Sequence, residues 1–316
     1  MSDVSAIKTK GLVLGEKATH VAKISAGYTH SLELKSDGTV LARGSDRYGQ
    51  LGDDSKLDDK TTPVQVSGLS GIVAVSAGGY HSVALKSDGT VWAWGYDRYG
   101  QLGDDATRAD KATPVKVSGL SGIVAVSAGG YHSVALKSDG TVWAWGDDYH
   151  GQLGDGRKLQ YRPTPVQVSG MSDIVAISAG QFHSLALKSD KTVWVWGEDG
   201  DGQLGNDATL ANKYTAVQVS GLSDIMAVAA GGYHSVALRS DGTVWAWGSD
   251  RYGQLGDNAG ADKATPVQVS DLSDIMAVSA GYGHSFAIKT DGTVWTRGAF
   301  YNQFVNNAPR AAKIIL

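Results

Sequence analysis

The chain predicts an all-β fold, a β-propeller of four-stranded antiparallel blades. Three observations carry that expectation. A 22-residue stretch, 74–95, returns unchanged at 125–146 and, with a few substitutions, around His30, His183, His234 and His284. The glycines that open the copies, Gly27, Gly78, Gly129, Gly180, Gly231 and Gly281, are spaced by 51, 51, 51, 51 and 50 residues. Within each period, short alternating runs rich in β-formers are separated by glycine turns. A period near 50 residues is the mark of a solenoid, propeller or array, in which each unit buries its apolar face only against its neighbours.

The second copy serves as the pattern. Residues 72–77 are apolar and small between Gly71 and Gly78, which suits a first strand beside a crowded central channel. Residues 80–86 form a second strand. The turn at Ser87-Asp88-Gly89 uses glycine for a positive φ. Residues 90–94 form a third strand, closed by Gly95. A polar loop, 96–112, leads to a fourth strand at 114–117, with Pro114 at its start on an outer edge, where a missing N–H is tolerated. Four short strands per period describe a propeller blade. Trp92 and Trp94 share one face of the third strand and are expected to fill the contact between blades. Burying roughly 150–250 Å² each, at about 25 cal/mol/Å², gives a gross gain of roughly 4–6 kcal/mol per indole.

The recurring pattern, Ala-Gly-x-x-His-Ser-x-Ala-Leu-Lys-x-Asp-Gly-x-Val-Trp-x-Trp-Gly followed by Gly-Gln-Leu-Gly, resembles the repeat of the regulator of chromosome condensation (RCC1) family. Gly-Gln-Leu-Gly stands at 49–52, 100–103, 151–154, 202–205 and 253–256, and the last copy is degraded to Asn302-Gln-Phe-Val305. The resemblance covers about residues 20–305 and implies a single propeller domain over 1–316. Residues 6–15 match the second-and-third-strand hairpin of the last repeat, and 311–316 resemble the first strand at 21–26. Together they suggest a composite closing blade built from both termini, hence seven blades, the number usual for the family. The alternative is six blades, with 311–315 as the outer strand of the sixth. Residues 64–95 and 115–146 differ only at Gln65 against Lys116, the mark of recent amplification or assembly. Lys191 replaces the turn glycine found at Gly38, Gly89, Gly140, Gly242 and Gly292, at an expected cost of about 1 kcal/mol if that position needs a positive φ.

Composition excludes several classes. The net charge is −4 and no basic footprint is visible, which argues against nucleic acid as a partner. There are no cysteines, hence no disulfides or thiolate metal sites. No apolar run is long enough to span a membrane, and the N-terminus carries no signal-peptide pattern. A soluble protein is expected, with the cytoplasm favoured. The six repeated histidines stand a blade apart, too far for one ion's roughly 2 Å bonds, so they are read as hydrogen-bonded structural groups inside each blade. His81 and Ser82 point to opposite faces of a strand and cannot share a proton. No catalytic constellation emerges, so no enzyme and no cofactor are expected.

The surface gives the lead. In an up-and-down blade, the first turn and the long loop emerge at the same end. The first turns carry Thr29, Tyr80, Tyr131, Phe182, Tyr233 and Gly283. The long loops carry Arg47, Tyr48, Arg98, Tyr99, Tyr149, His150, Arg251, Tyr252, Phe300 and Tyr301. The opposite end has only Lys-Ser-Asp-Gly-Thr and Ser-Gly-Leu-Ser turns. Tyrosine and arginine are enriched in binding hot spots. A non-enzymatic platform for a protein partner follows, with Arg47, Tyr48, Tyr80, Arg98, Tyr99, Tyr131, Tyr149, Phe182, Tyr233, Arg251 and Tyr252 as the candidate contact residues. The competing expectations are that these rings merely pack the loops down, or that the chain is a repeat scaffold without a dedicated ligand. The family resemblance further implies relatives that exchange nucleotide on a small GTPase and bind chromatin, that inhibit a β-lactamase, or that sense ultraviolet light through clustered tryptophans. The chain lacks the basic tail and inserted β-wing of the first and the Gly-Trp-Arg-His-Thr run of the last.

Overall fold

The computed structural model describes residues 21–55, 57–104, 108–206, 209–299 and 312–314. They form six four-stranded antiparallel sheets. Blade 1 runs over 21–65, blade 2 over 72–116, blade 3 over 123–167, blade 4 over 174–218 and blade 5 over 225–268. Blade 6 joins 275–298 to Ala312–Ile314. In blades 1 to 5 the strands lie in chain order from the channel outward, and each first strand carries a bulge near its start, as between Ile72 and Ala74.

The expected seventh blade is corrected to six. The C-terminal segment pairs with the third strand of blade 6, Val294 with Ile314 and Thr296 with Ala312, so it is an outer strand and not a first one. The outward face of blade 1 also lacks what a preceding blade would need. Where blade 2 has Ala84 and Trp94, blade 1 has Glu33 and Arg43, an ion pair at 3.7 Å. The N-terminal hairpin expected at 6–15 lies outside the described residues.

The core is a series of layers between blades. Trp94, Trp145, Trp196 and Trp247 are fully buried. Trp145, for example, packs against Val83, Leu85, Val91 and Leu102 of the preceding blade. Its neighbour on the same face, Trp143, is only partly buried, with the Lys137 ammonium 6.0 Å from its ring centre. The two indoles of a strand therefore do not share the core equally. The inner glycine of the Gly-Gln-Leu-Gly loop is fixed by this packing. Gly103 has φ +69°, and a Cβ there would stand 2.7 Å from Trp145 Nε1.

The histidines do not act inside their own blades, which corrects a second expectation. His30 Nε2 meets Ser82 Oγ at 2.9 Å, His81 meets Ser133, His132 meets Ser184, His183 meets Ser235 and His234 meets Ser285. Each pair spans two blades. The serine hydroxyl in turn donates to the backbone carbonyl of the loop glutamine, as Ser133 does to Gln101 at 3.0 Å. Trp145 Nε1 donates to that same carbonyl at 2.8 Å. Because the serine proton is committed to Gln101, the serine oxygen accepts and the histidine proton sits on Nε2. Burial holds His81, His132, His183 and His234 at about 3 and His30 at about 4, so all five are neutral.

The fourth strand of blade 2 starts at Lys111, earlier than expected, and Pro114 lies within it. The ladder shifts between Ala93 and Gly95, so Pro114 falls at the irregularity, where no ladder hydrogen bond is lost. Lys191 does take the left-handed conformation, at φ 67°.

Candidate functional site

The first turn of each blade is pressed against the next. Gly79 N donates to Gly129 O at 3.0 Å, and a Cβ at Gly79 would stand 2.5 Å from Gly130 O. With no room sideways, the residue after the glycines is presented at the end of the channel. Six rings result, and they form a closed belt. The centroid separations are 6.1 Å for Tyr28 to Tyr80, 5.7 Å to Tyr131, 5.8 Å to Phe182, 6.2 Å to Tyr233, 5.8 Å to Tyr282 and 5.4 Å back to Tyr28. Such pairs contribute about 0.5–1.5 kcal/mol each beyond area burial. In blades 1 and 6 the ring comes from Tyr28 and Tyr282, one residue before the expected Thr29 and Gly283. The belt is uncharged. Burial and its tyrosine neighbours push Tyr131 up to about 12 and hold Tyr28 and Tyr233 well above the usual phenol range.

A second tier rests on the belt. Tyr48 packs edge-on against Tyr80 at 5.7 Å and tilts against Tyr96 at 4.8 Å. Tyr99 meets Tyr131 at 5.6 Å, and His150 meets Phe182 at 5.0 Å. The loop glutamine sets this tier. Gln50 Oε1 accepts from Tyr48 N, Gln101 from Tyr99 N, Gln152 from His150 N and Gln254 from Tyr252 N, at 2.8–3.0 Å. One glutamine thus holds the next blade through its backbone and the aromatic loop through its side chain.

Above both tiers, Tyr149 and Tyr252 are exposed, at 66% and 41%. The guanidinium of Arg47 lies over Tyr48 and that of Arg251 over Tyr252, at 5.6 and 5.8 Å. Arg98 is exposed. The structure therefore gathers the candidate residues of blades 1 to 4 on one surface. Arg251 and Tyr252 sit further round, with Tyr252 over Gly283, while Phe300 and Tyr301 lie outside the described residues. Tyr28, Tyr96, Tyr282, Arg108 and Tyr161 join the surface without having been picked out.

Two acids follow the closing glycines of blades 3 and 4. Asp147 N donates to Tyr131 O and Glu198 N to Phe182 O, which seats both carboxyls beside the belt. Burial pushes Asp147 up to about 6. Burial, with Asp201 nearby, pushes Glu198 up to about 7. An open cleft of about 750 Å³ runs from blade 2 to blade 4 between Arg98, Tyr99, Arg108, Tyr131, Asp147, Tyr149, His150, Gln160, Tyr161 and Phe182. Arg108 stacks over Tyr161 at 4.5 Å. Among the described residues no cluster of three His, Asp or Glu could hold a metal ion, and no helix is long and apolar enough to cross a membrane.

Six blades of one repeat, with an aromatic and arginine-bearing loop end, define a repeat-built β-propeller. The chain belongs to the RCC1-like domain family, whose model matches residues 3–225 and again 58–307. It is 34% identical over 251 residues to the human probable E3 ubiquitin-protein ligase HERC6, a match covering 77% of this chain and 25% of the relative. It is 32% identical over 251 residues to the ultraviolet-B receptor UVR8 of Arabidopsis thaliana, covering 76% of this chain and 56% of the receptor. The chain thus spans a quarter of one relative and about half of the other. Prp20p of Saccharomyces cerevisiae, described with its binding to Gsp1p and histones, superposes with a TM-score of 0.81 at 26% identity, over 94% of this chain and 77% of that one.

Proposed function

We propose that this chain is a non-enzymatic platform that presents its loop end to a protein partner. The observation that carries the reading is the closed aromatic belt with Tyr149, Tyr252 and three arginines standing above it. Aromatic rings already locked against one another lose little entropy when a partner covers them, and arginine adds directional contacts at their rim. Family likeness adds that Prp20p is described with protein partners, although fold alone does not transfer a function.

A second reading, a repeat scaffold without a dedicated ligand, draws on the near identity of residues 64–95 and 115–146. Capture from a lysate of the source cells separates the two. The platform reading expects a protein retained by the wild type and lost by the Tyr99→Ala/Tyr252→Ala double variant, which should stay folded by circular dichroism with only a small drop in melting temperature. If nothing is retained, or both forms retain the same proteins, the scaffold reading replaces it.

A further inference from the structure

The cleft that runs from blade 2 to blade 4 carries more specific information than the belt. Its two ends differ in charge. At the blade 2 end stand the exposed guanidiniums of Arg98 and Arg108, and among the described residues neither forms an ion pair. The Tyr96 hydroxyl bonds Arg98, but a neutral phenol does not cancel its charge. The Arg108 guanidinium stands over the Tyr161 ring, 4.5 Å from its centre, a contact that helps order the side chain while its N–H donors can still grip a carboxylate.

Toward blade 4 the sign reverses. Asp147 of blade 3 lines the cleft with its carboxylate accepting from Tyr149 N and Gln152 Nε2, and Glu198, tied by its backbone to Phe182, stands just beyond the lining on the Tyr233 side. Asp201 stands beside Glu198 at the position where blades 1, 2 and 5 place a tyrosine. The floor between the ends is apolar: Tyr131 and Phe182 are stacked, with 19° between their planes.

We infer that this cleft holds a short dipolar peptide segment of the partner, with an acidic side chain on Arg98 and Arg108, an aromatic or aliphatic residue on Tyr131 and Phe182, and a basic side chain toward Asp147 and Glu198. The inference rests on the platform reading and names the chemistry of its partner. A volume of about 750 Å³ suits a few residues and is ample for a lone anion. A single-stranded nucleic acid fits the arginines and rings but not the acids. Its backbone repeats the negative charge at every nucleotide and would run into Glu198 and Asp201.

The test is calorimetric titration of the full chain with three probes at about pH 8, where both Asp147 and Glu198 are ionised. One is the peptide Gly-Asp-Asp-Phe-Lys-Lys-Gly. The second replaces its Asp and Lys by Asn and Gln, and the third is oligothymidine. The charged peptide is expected to bind best. Arg98→Ala/Arg108→Ala is expected to weaken it by about tenfold and Glu198→Gln by a smaller factor, because each removes one end of the charge match. Both arginines are exposed, so the melting temperature of the double variant should stay unchanged. Tighter binding of oligothymidine, equal binding of the neutral peptide, no measurable heat, or variants that bind like the wild type would each overturn the inference. If the peptide fails while Tyr99→Ala/Tyr252→Ala still abolishes protein capture, the platform stands and only the dipolar segment falls. If capture is also unaffected, both fall.

Discussion

His81 of blade 2 and Ser133 of blade 3 share a buried hydrogen bond of 2.9 Å, and the serine hydroxyl in turn donates to the backbone carbonyl of Gln101. This relay ties two blades and a loop together, and it recurs at five of the blade junctions. It also bears on the loop end, because Gln101 is the residue whose side chain holds Tyr99 in place.

Ser133→Ala is therefore expected to be costly. It leaves the His81 Nε2–H buried without an acceptor and takes one of two donors from Gln101 O. An unmet buried donor costs about 1–3 kcal/mol. The exposed Ser87→Ala should stay within about 0.5 kcal/mol. Urea unfolding of both variants checks the difference; equal stabilities would show that the relay carries no energy.

The repeat was legible because glycine spacing and strand alternation are local properties. The relay was not. Sequence places His81 beside Ser82, and only the ring arrangement brings it to Ser133, 52 residues away. The partition between Trp92 and Trp94 was hidden for the same kind of reason. Both lie on one face, but only Trp94 reaches under the loop of blade 1, where Gln50 O accepts its N–H. The blade count turned on 311–316, whose pattern suits an inner or an outer strand, and pairing with Val294–Gly298 decides it. At the candidate site the tyrosines and arginines were readable. The offset of Tyr28 and Tyr282 was not, since a turn sets which residue points inward, and neither was the cleft, which needs loops of adjacent blades.

The pH dependence of stability is expected to be shallow between about pH 7 and pH 5, because two sets of groups oppose each other. The five buried histidines titrate at about 3 to 4 when folded. Below their unfolded value of about 6.5 the unfolded chain binds the proton, and each drains about 1.4 kcal/mol per pH unit. Asp46, Asp97 and Asp147 are raised to about 6, and Asp148 and Glu198 to about 7, by burial. Their folded forms take up protons first, so acidification adds stability until the unfolded carboxyls titrate near about pH 4. Below that only the loss remains. Relative to wild type, Asp148→Asn should become less stable as pH falls from about 8 to about 5, since it lacks one compensating group. A pH-independent difference in urea midpoints would refute this.

Lys191→Gly is expected to stabilise the protein. Lys191 sits at φ 67°, and its counterparts Gly89 and Gly140 sit at φ 78° and 80° in the same turn. A side chain in the left-handed region costs about 1–2 kcal/mol, and the added backbone freedom of glycine returns part of that. A net gain of about 0.5–1 kcal/mol should appear as a higher urea midpoint. A loss would mean that the lysine side chain contributes more than its backbone strain costs.

Tyr28 supplies the ring that closes the belt, and its hydroxyl is buried without a hydrogen-bond partner among the described residues. Its two faces of contact are Tyr80 and Tyr282, both edge-on. The ring and the hydroxyl therefore pull in opposite directions. Tyr28→Phe keeps both aromatic contacts and removes an unmet polar group, so stability should hold or rise by up to about 1 kcal/mol. Tyr28→Ala removes the ring and breaks the belt between Tyr80 and Tyr282. It should cost about 3 kcal/mol, toward the range for aromatic truncation in a core. Thermal melts of the two variants decide the matter. If Phe is as damaging as Ala, the hydroxyl has a partner and the belt is held by that bond. If neither moves the melting temperature, the belt is surface decoration, and the aromatic end owes its order to the glutamine-anchored loops alone.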